Sequence, residues 1–296
     1  VELLRALGQL AEPPGDGHHR LAGVLDLPER PDDAAFTDTF ILQLYPYASV
    51  YVGAEGMLGG AARDRVAGFF RTLGAAPPSE SDHLAVLLGA AADIADHEAT
   101  AVEADAAAAW RRSRAALLWE HLLSWVPPFA DRVIALAGPY AAWARLLLDA
   151  LRHEADVVGP APALPLHLRA APRLDDPRDG AEERAAEVFR AHLLAPVRTG
   201  VILTRTDLLR AARDLGLGAR IGERRFVLSA LLAQAPDAVL DWLADEADQR
   251  ATAHSAHAWT GSVATFWADR AAATATLLRE LGADARSVTA MASQEG

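Results

Sequence analysis

Apolar residues recur along this chain every three to four positions, the spacing that turns one face of a helix toward a core. Leu3, Leu4, Leu7 and Leu10 set the pattern, which predicts short helices over 2–11 and 18–27 with Pro13-Pro14-Gly15 between them. Another helix is expected after Pro31, through Phe36, Phe40, Ile41 and Leu44. It must end before Pro46, because a proline disfavours helix in the residue ahead of it. Tyr45-Pro46-Tyr47, Tyr51, Gly53 and the Gly59-Gly60 pair interrupt the pattern before a helix carrying Val66, Phe69, Phe70 and Leu73.

Residues 69–88 are the stretch around which the rest is arranged. One helical pattern stops at Gly74, Pro77-Pro78 re-aims the backbone, and a second helix is expected to start at Ser79. Ser79 with Asp82 has capping-box spacing, a feature that stabilises a helix start by about 1 kcal/mol. Glu80 and Asp82 then fall in the first turn, where the helix dipole favours negative charge. The same dipole disfavours a protonated His83, which is expected to be neutral at pH 7.

Beyond this hinge the apolar faces continue. Leu84, Leu87, Leu88, Ala91 and Ala95 form one stripe, and Leu118, His121, Leu122 and Trp125 form another, on which His121 is expected to be a hydrogen-bonded buried histidine. Pro127-Pro128 suits the start of the next helix, which bears Phe129, Val133 and Ile134. After Gly138-Pro139, Trp143, Leu146, Leu147, Ala150 and Leu151 share one face. Residues 155–179 hold five prolines and little periodicity. Helices are expected again near 181–194, 205–215, 222–234, 236–254 and 260–282, with a capping box from Thr204 to Asp207, Pro236 as a first helical residue and a frayed last dozen residues. No run alternates as a strand does, so the fold class is all-α. The expected organisation is a helical domain over 1–154, a proline-rich linker or strap over 155–180 and a helical C-terminal extension over 181–296.

Composition narrows the chemistry. Among 296 residues there is no cysteine, which excludes disulfides, thiolate nucleophiles, iron–sulfur clusters and cysteine-ligated zinc. There is no lysine either, which removes phosphate-loop and Schiff-base chemistry. The net charge of −12 is uneven: residues 1–154 carry −9 and residues 155–296 carry −3. Between Thr72 and Trp110 there are seven acids and no arginine, a field that repels nucleic acid and attracts cationic partners. No secretory leader or membrane span is expected, since the apolar stretch Thr39–Ala54 is short and cut by Pro46 and Gly53.

No metal or cofactor is expected. His97-Glu98 lacks a second histidine at position 101, and His254 and His257 lack a third ligand. Gly216, Gly218 and Gly222 have the wrong spacing for a dinucleotide loop and suit a helix C-cap and turn. Residues 197–225 hold seven arginines and three acids, and the segment 204–234 has the outline of a helix-turn-helix. A DNA-binding regulator is therefore one alternative, and an all-helical enzyme without a recognisable motif is another.

The ordered motifs Tyr45-Pro46-Tyr47, Ser81-Asp82-His83-Leu84, His121-Leu122-Leu123-Ser124-Trp125-Val126-Pro127-Pro128-Phe129 and Pro139-Tyr140 before Trp143 resemble the TorD/DmsD/NarJ family of cytoplasmic maturation chaperones for molybdenum-cofactor reductases. The resemblance spans roughly residues 35–153. It implies a TorD-like helical bundle, here with an additional helical C-terminal region. It implies no catalysis, no nucleic acid and no stable membrane insertion, and leaves the oligomeric state open. The partner it implies is a molybdenum-cofactor reductase or dehydrogenase subunit, met as leader peptide and apo-enzyme. The chaperone would bind the twin-arginine signal peptide and assist cofactor insertion before export. The signal-peptide-binding residues it implies are Tyr45, Tyr47, Phe69, Phe70, Glu80, Asp82, His83, His121 and Trp125. The family's hinge commonly reads Glu-Pro-x-Asp-His, and here Ser79 and Glu80 stand at the Glu-Pro positions while Asp82 and His83 match.

Overall fold

Helix α1 (Glu2–Gln9) lies against α6 (Leu84–Thr100), with Leu4, Leu7 and Leu10 all buried. Gly8 permits the approach, because a Cβ there would stand 3.2 Å from the Ala85 carbonyl and 3.3 Å from the Leu88 Cβ. The computed structural model describes residues 1–179, 182–220 and 222–292. Among them there are sixteen α-helices and no strand, so the all-α expectation holds. The chain divides into two compact units, one of residues 1–53, 57–170 and 259–263, the other of residues 54–56, 171–258 and 264 onward.

In the first unit the order continues with α2 (His18–Val24), α3 (Asp33–Phe36), α4 (Ala48–Val52) and α5 (Gly60–Thr72). After α6 come α7 (Ala104–Ala116), α8 (Val126–Ala135), α9 (Tyr140–Val158) and the single turn α10 (Leu166–Arg169). Two helices widen into π-helical turns, α3 over Thr37–Gln43 and α7 over Leu117–Leu122. Such widenings often mark functional positions. The second wide turn carries His121. Phe40, Phe129, Tyr140 and Trp143 form the aromatic centre, with Phe40 at 4.5 Å from Tyr140 and 5.5 Å from Trp143. The Trp143 indole donates to the Leu7 carbonyl at 3.0 Å, which ties α9 to α1. Arg114 on α7 joins Glu98 of α6 at 3.2 Å and Glu154 of α9 at 2.6 Å.

The seven-acid run is more self-satisfied than its composition suggests. Arg5 reaches Asp93 and Asp96 at 2.7 Å each, and Arg111 and Arg114 take Glu98. Helix α6 begins at Leu84, not at Ser79, and its N-cap is His83. The capping box expected at Ser79 does not form.

The second unit contains α11 (Glu182–His192), α12 (Pro196–Thr199), α13 (Arg205–Asp214), α14 (Arg224–Gln234), α15 (Pro236–His254) and α16 (Ser262–Ala292). Leu208, Leu228, Leu231 and Val239 are at its centre, each fully buried. The capping box at Thr204 forms: Thr204 Oγ1 accepts from the Asp207 amide at 3.1 Å, and Asp207 accepts from the Thr204 amide at 2.8 Å. Pro236 opens α15 as expected, and Gly216, at φ +65°, ends α13. The expected fraying does not appear in the described residues, where α16 continues to Ala292. Residues 181 and 293–296, which the expected helix at 181–194 and frayed end include, lie outside the described residues. Three arginines of the helix-turn-helix outline are held within the unit. Arg210 binds Glu246 at 2.7 Å, Arg224 donates to the Leu203 carbonyl at 2.8 Å, and Arg225 pairs with Glu187 at 2.7 Å.

Candidate functional site

The hinge between α5 and α6 is built from two chain segments. Helix α5 ends at Thr72, and Gly74, at φ +79°, turns the chain toward Pro77-Pro78. Residues 82–84 then run beside residues 46–49: the Ala48 amide donates to the Asp82 carbonyl at 3.0 Å, and the Leu84 amide to the Pro46 carbonyl at 2.8 Å. Tyr47 and His83 form an antiparallel bridge there. The Asp82 carboxylate, 1% exposed, accepts from the Ser49 amide at 3.0 Å and so satisfies the start of α4. Asp82 is thus a buried lock between the segments, not an acid at an open helix start.

His83 is also buried. Its Nδ1 accepts from the Ala85 amide at 3.2 Å, which places the ring proton on Nε2. Burial lowers its pKa, opposed by the charges of Glu80, Glu12 and Asp82, so the expected neutral form arises from desolvation. The Tyr47 ring packs edge-on against His83 at 4.7 Å, and its hydroxyl donates to exposed Glu80 at 3.0 Å. Burial, then that bond, pushes the Tyr47 pKa up to about 12. Ser81 Oγ, buried beside them, has no hydrogen-bond partner among the described residues.

The remaining predicted residues fall into two further groups. Tyr45 is 38% exposed, and its carbonyl accepts from the Tyr51 hydroxyl at 2.8 Å. Tyr51 stacks on Trp125 at 5.1 Å, with the rings 5° apart in plane. Trp125 is fully buried, so it supports the Tyr45 segment from behind and presents no surface of its own. Phe69 is half-buried with Phe70 at 6.2 Å, and it packs 5.3 Å from His121.

His121 departs from the expected hydrogen-bonded core histidine: its Nδ1 has no partner among the described residues. His167 packs edge-on to it at 5.6 Å, and His167 Nδ1 accepts from Arg65 at 3.0 Å. Burial, then the Arg65 charge, pushes the His121 pKa down to about 4. For His167 burial, then His121, then Arg65, push it to about 3. A histidine whose folded pKa is depressed contributes stability that is present above pH 6.5 and lost as pH falls toward 4. Relative to a His121→Phe variant, the protein should lose on the order of 3 kcal/mol more stability between pH 7 and 4. Urea unfolding at several pH values measures this, and parallel slopes would remove His121 from the acid response.

Sequence reasoning missed Ser49, Arg65 and His167. His167 follows Pro165 and Leu166 in the proline-rich stretch and carries no periodic signal. Arg65 stands four residues before Phe69 on α5, so the helical spacing alone could have marked it. Among the described residues no group of three or more histidine or acidic side chains is arranged to hold a metal ion.

Neither a curated protein nor a solved structure matches the chain. A family model does: residues 18–131 match the nitrate reductase delta subunit family. That stretch contains α2 to α7, the hinge, the wide turn with His121, and Trp125. The family is one of non-catalytic chaperones for redox-enzyme maturation. Residues 18–131 are thus similar to the nitrate reductase delta subunit family of NarJ/TorD-like chaperones, a likeness that covers less than half of the chain.

Proposed function

We propose that the first unit binds the twin-arginine leader of a molybdenum-cofactor reductase or dehydrogenase subunit and holds the apo-enzyme in the cytoplasm until its cofactor is in place. The family name points to a nitrate reductase-type client. The observation that carries the reading is the exposed apolar segment beside the hinge: Ile41 is 46% exposed, Leu42 43% and Tyr45 38%. Two residues beyond Tyr45, Tyr47 holds the exposed carboxylate of Glu80 at 3.0 Å. A twin-arginine leader presents two guanidinium groups followed by an apolar run of about 7–15 residues. The apolar segment suits the run and Glu80 suits the arginines. An exposed ion pair contributes only about 0–1 kcal/mol, against roughly 1.5–3 kcal/mol for a buried large apolar side chain. Apolar contact therefore sets affinity, and Glu80 sets orientation and on-rate. Asp82, His83 and Trp125 act behind this surface, as the frame that fixes it. No helix among the described residues is long and apolar enough to cross a membrane.

Fluorescence anisotropy with a labelled leader peptide tests the reading. Wild-type protein should bind saturably, and Arg-Arg→Ala-Ala in the peptide should weaken binding several-fold. Glu80→Gln should slow association and reduce its salt dependence, with little change in stability. Equal binding of both peptides, or of neither, would overturn the proposal.

A further inference from the structure

The second unit contains a cavity of about 180 Å³, lined by residues other than those proposed for leader binding. Arg173, Arg198 and Arg270 line it, with Thr274 as a hydroxyl and Leu174 and Leu277 as an apolar wall. The three guanidinium groups have different partners. Arg198, 8% exposed, donates to the Ala54 carbonyl at 2.7 Å, the Arg173 carbonyl at 3.1 Å and Asp175 at 3.2 Å, and stands 3.6 Å from Glu55. Its charge is matched.

Arg270 meets only backbone oxygens and a ring. It donates to the carbonyls of Ala171 at 2.8 Å, Val197 at 3.4 Å and Pro172, and lies 4.8 Å from the centre of Phe266. Three of its five N–H groups are used, which leaves two. Arg173 has no side-chain hydrogen bond or ion pair among the described residues. Burial, then repulsion from Arg173 and Arg198, holds the Arg270 guanidinium below its ordinary pKa. Clamping residues 171–172 accounts for part of Arg270, but a clamp has no need of a second unmatched arginine across a cavity.

We propose that this cavity binds a phosphate group, either free or as the monoester of a small molecule. Two guanidinium charges without a carboxylate match one dianion, whereas a carboxylate ligand would leave one charge unmatched. The planar fork of arginine suits phosphate oxygens, and Thr274 supplies a neutral donor. Pockets for drug-sized ligands run to about 300–1,000 Å³, so this cavity takes a short ester and excludes larger bodies.

Calorimetric titration of the full chain with inorganic phosphate, glycerol 3-phosphate and acetate at matched ionic strength is the test. Saturable binding of phosphate or its ester is expected, weakened at least tenfold by Arg173→Gln. That exposed side chain holds nothing else, so the variant should fold and melt as the wild type does without ligand, and should bind the leader peptide unchanged. Tighter binding of the ester identifies an esterified ligand, and tighter binding of inorganic phosphate identifies the free ion. Absence of saturable binding to both, equal binding of acetate, or indifference to Arg173→Gln overturns the proposal and leaves the leader-binding reading untouched.

Discussion

Replacing Trp125 with alanine should lower the stability of the first unit by about 3–5 kcal/mol, the usual cost of emptying a buried aromatic site. The side chain is fully buried, stacks on Tyr51 at 5.1 Å and packs 5.3 Å from Phe129. Its indole also donates to the His121 carbonyl at 2.8 Å, inside the wide turn of α7. For a unit of this size the melting temperature should fall on the order of 10 °C. Function should follow through Tyr51, whose hydroxyl fixes the Tyr45 carbonyl at 2.8 Å. Leader affinity should fall about tenfold, or ~1.4 kcal/mol. Trp125→Phe separates support from contact: it keeps a ring against Tyr51 and loses the indole bond, at about 1 kcal/mol, together with the packing of the second ring. If Trp125 acts from behind, Trp125→Phe binds the leader within about twofold of wild type. A large loss of leader binding with normal melting would mean that the ring is reached by the peptide.

The sequence made most helices legible because alanine and leucine repeat at helical spacing and prolines mark the breaks. Pro127-Pro128 and Pro236 both stand in the first turns of helices, as their missing N–H groups allow. The hinge was legible as a turn and misread in its detail. Ser79–Asp82 and Thr204–Asp207 have the same spacing, yet only the second forms a capping box. At Thr204 both partners meet within one helical turn. At the hinge, segment 46–49 pairs with residues 82–84 and draws the Asp82 carboxylate to an amide 33 positions away. Local spacing carries no record of that competitor.

The same limit explains the site. The acid run from Thr72 to Trp110 suggests a strong open field, but Arg5, some 88 positions from Asp93, neutralises part of it. His121 looks like an ordinary core histidine because its neighbours, Arg65 and His167, arrive from other parts of the chain. The four motifs that carry the family resemblance bring together the hinge and the buried ring stack behind it. They do not distinguish residues that face outward, Tyr45 and Glu80, from those that hold the frame, Asp82, His83 and Trp125. Burial makes that division, and it moves the expected contact surface toward Ile41 and Leu42, which the periodic pattern assigns to a helix face.

Gly200→Ala should be the most damaging single substitution of its size in the second unit. Gly200 ends α12 at φ +72°, in the left-handed region that costs an L-residue about 1–2 kcal/mol. A Cβ there would also stand 2.4 Å from the Ala271 amide nitrogen and 2.7 Å from the Trp267 carbonyl oxygen, both backbone atoms of α16. Neither is the end of a flexible chain, so the turn and α16 must separate, at a further cost of about 1–3 kcal/mol. The Gly200 carbonyl accepts from His254 Nε2 at 2.9 Å, and separation would loosen that bond as well. A total loss of about 2–5 kcal/mol is expected. Gly216→Ala is the matched control, since its φ of +65° is similar but nothing lies within 4 Å of the new Cβ. That variant should lose only the backbone cost, about 1–2 kcal/mol. Urea unfolding of the two variants beside wild type measures the difference, and equal losses would show that the close approach of residue 200 to α16 contributes nothing to stability.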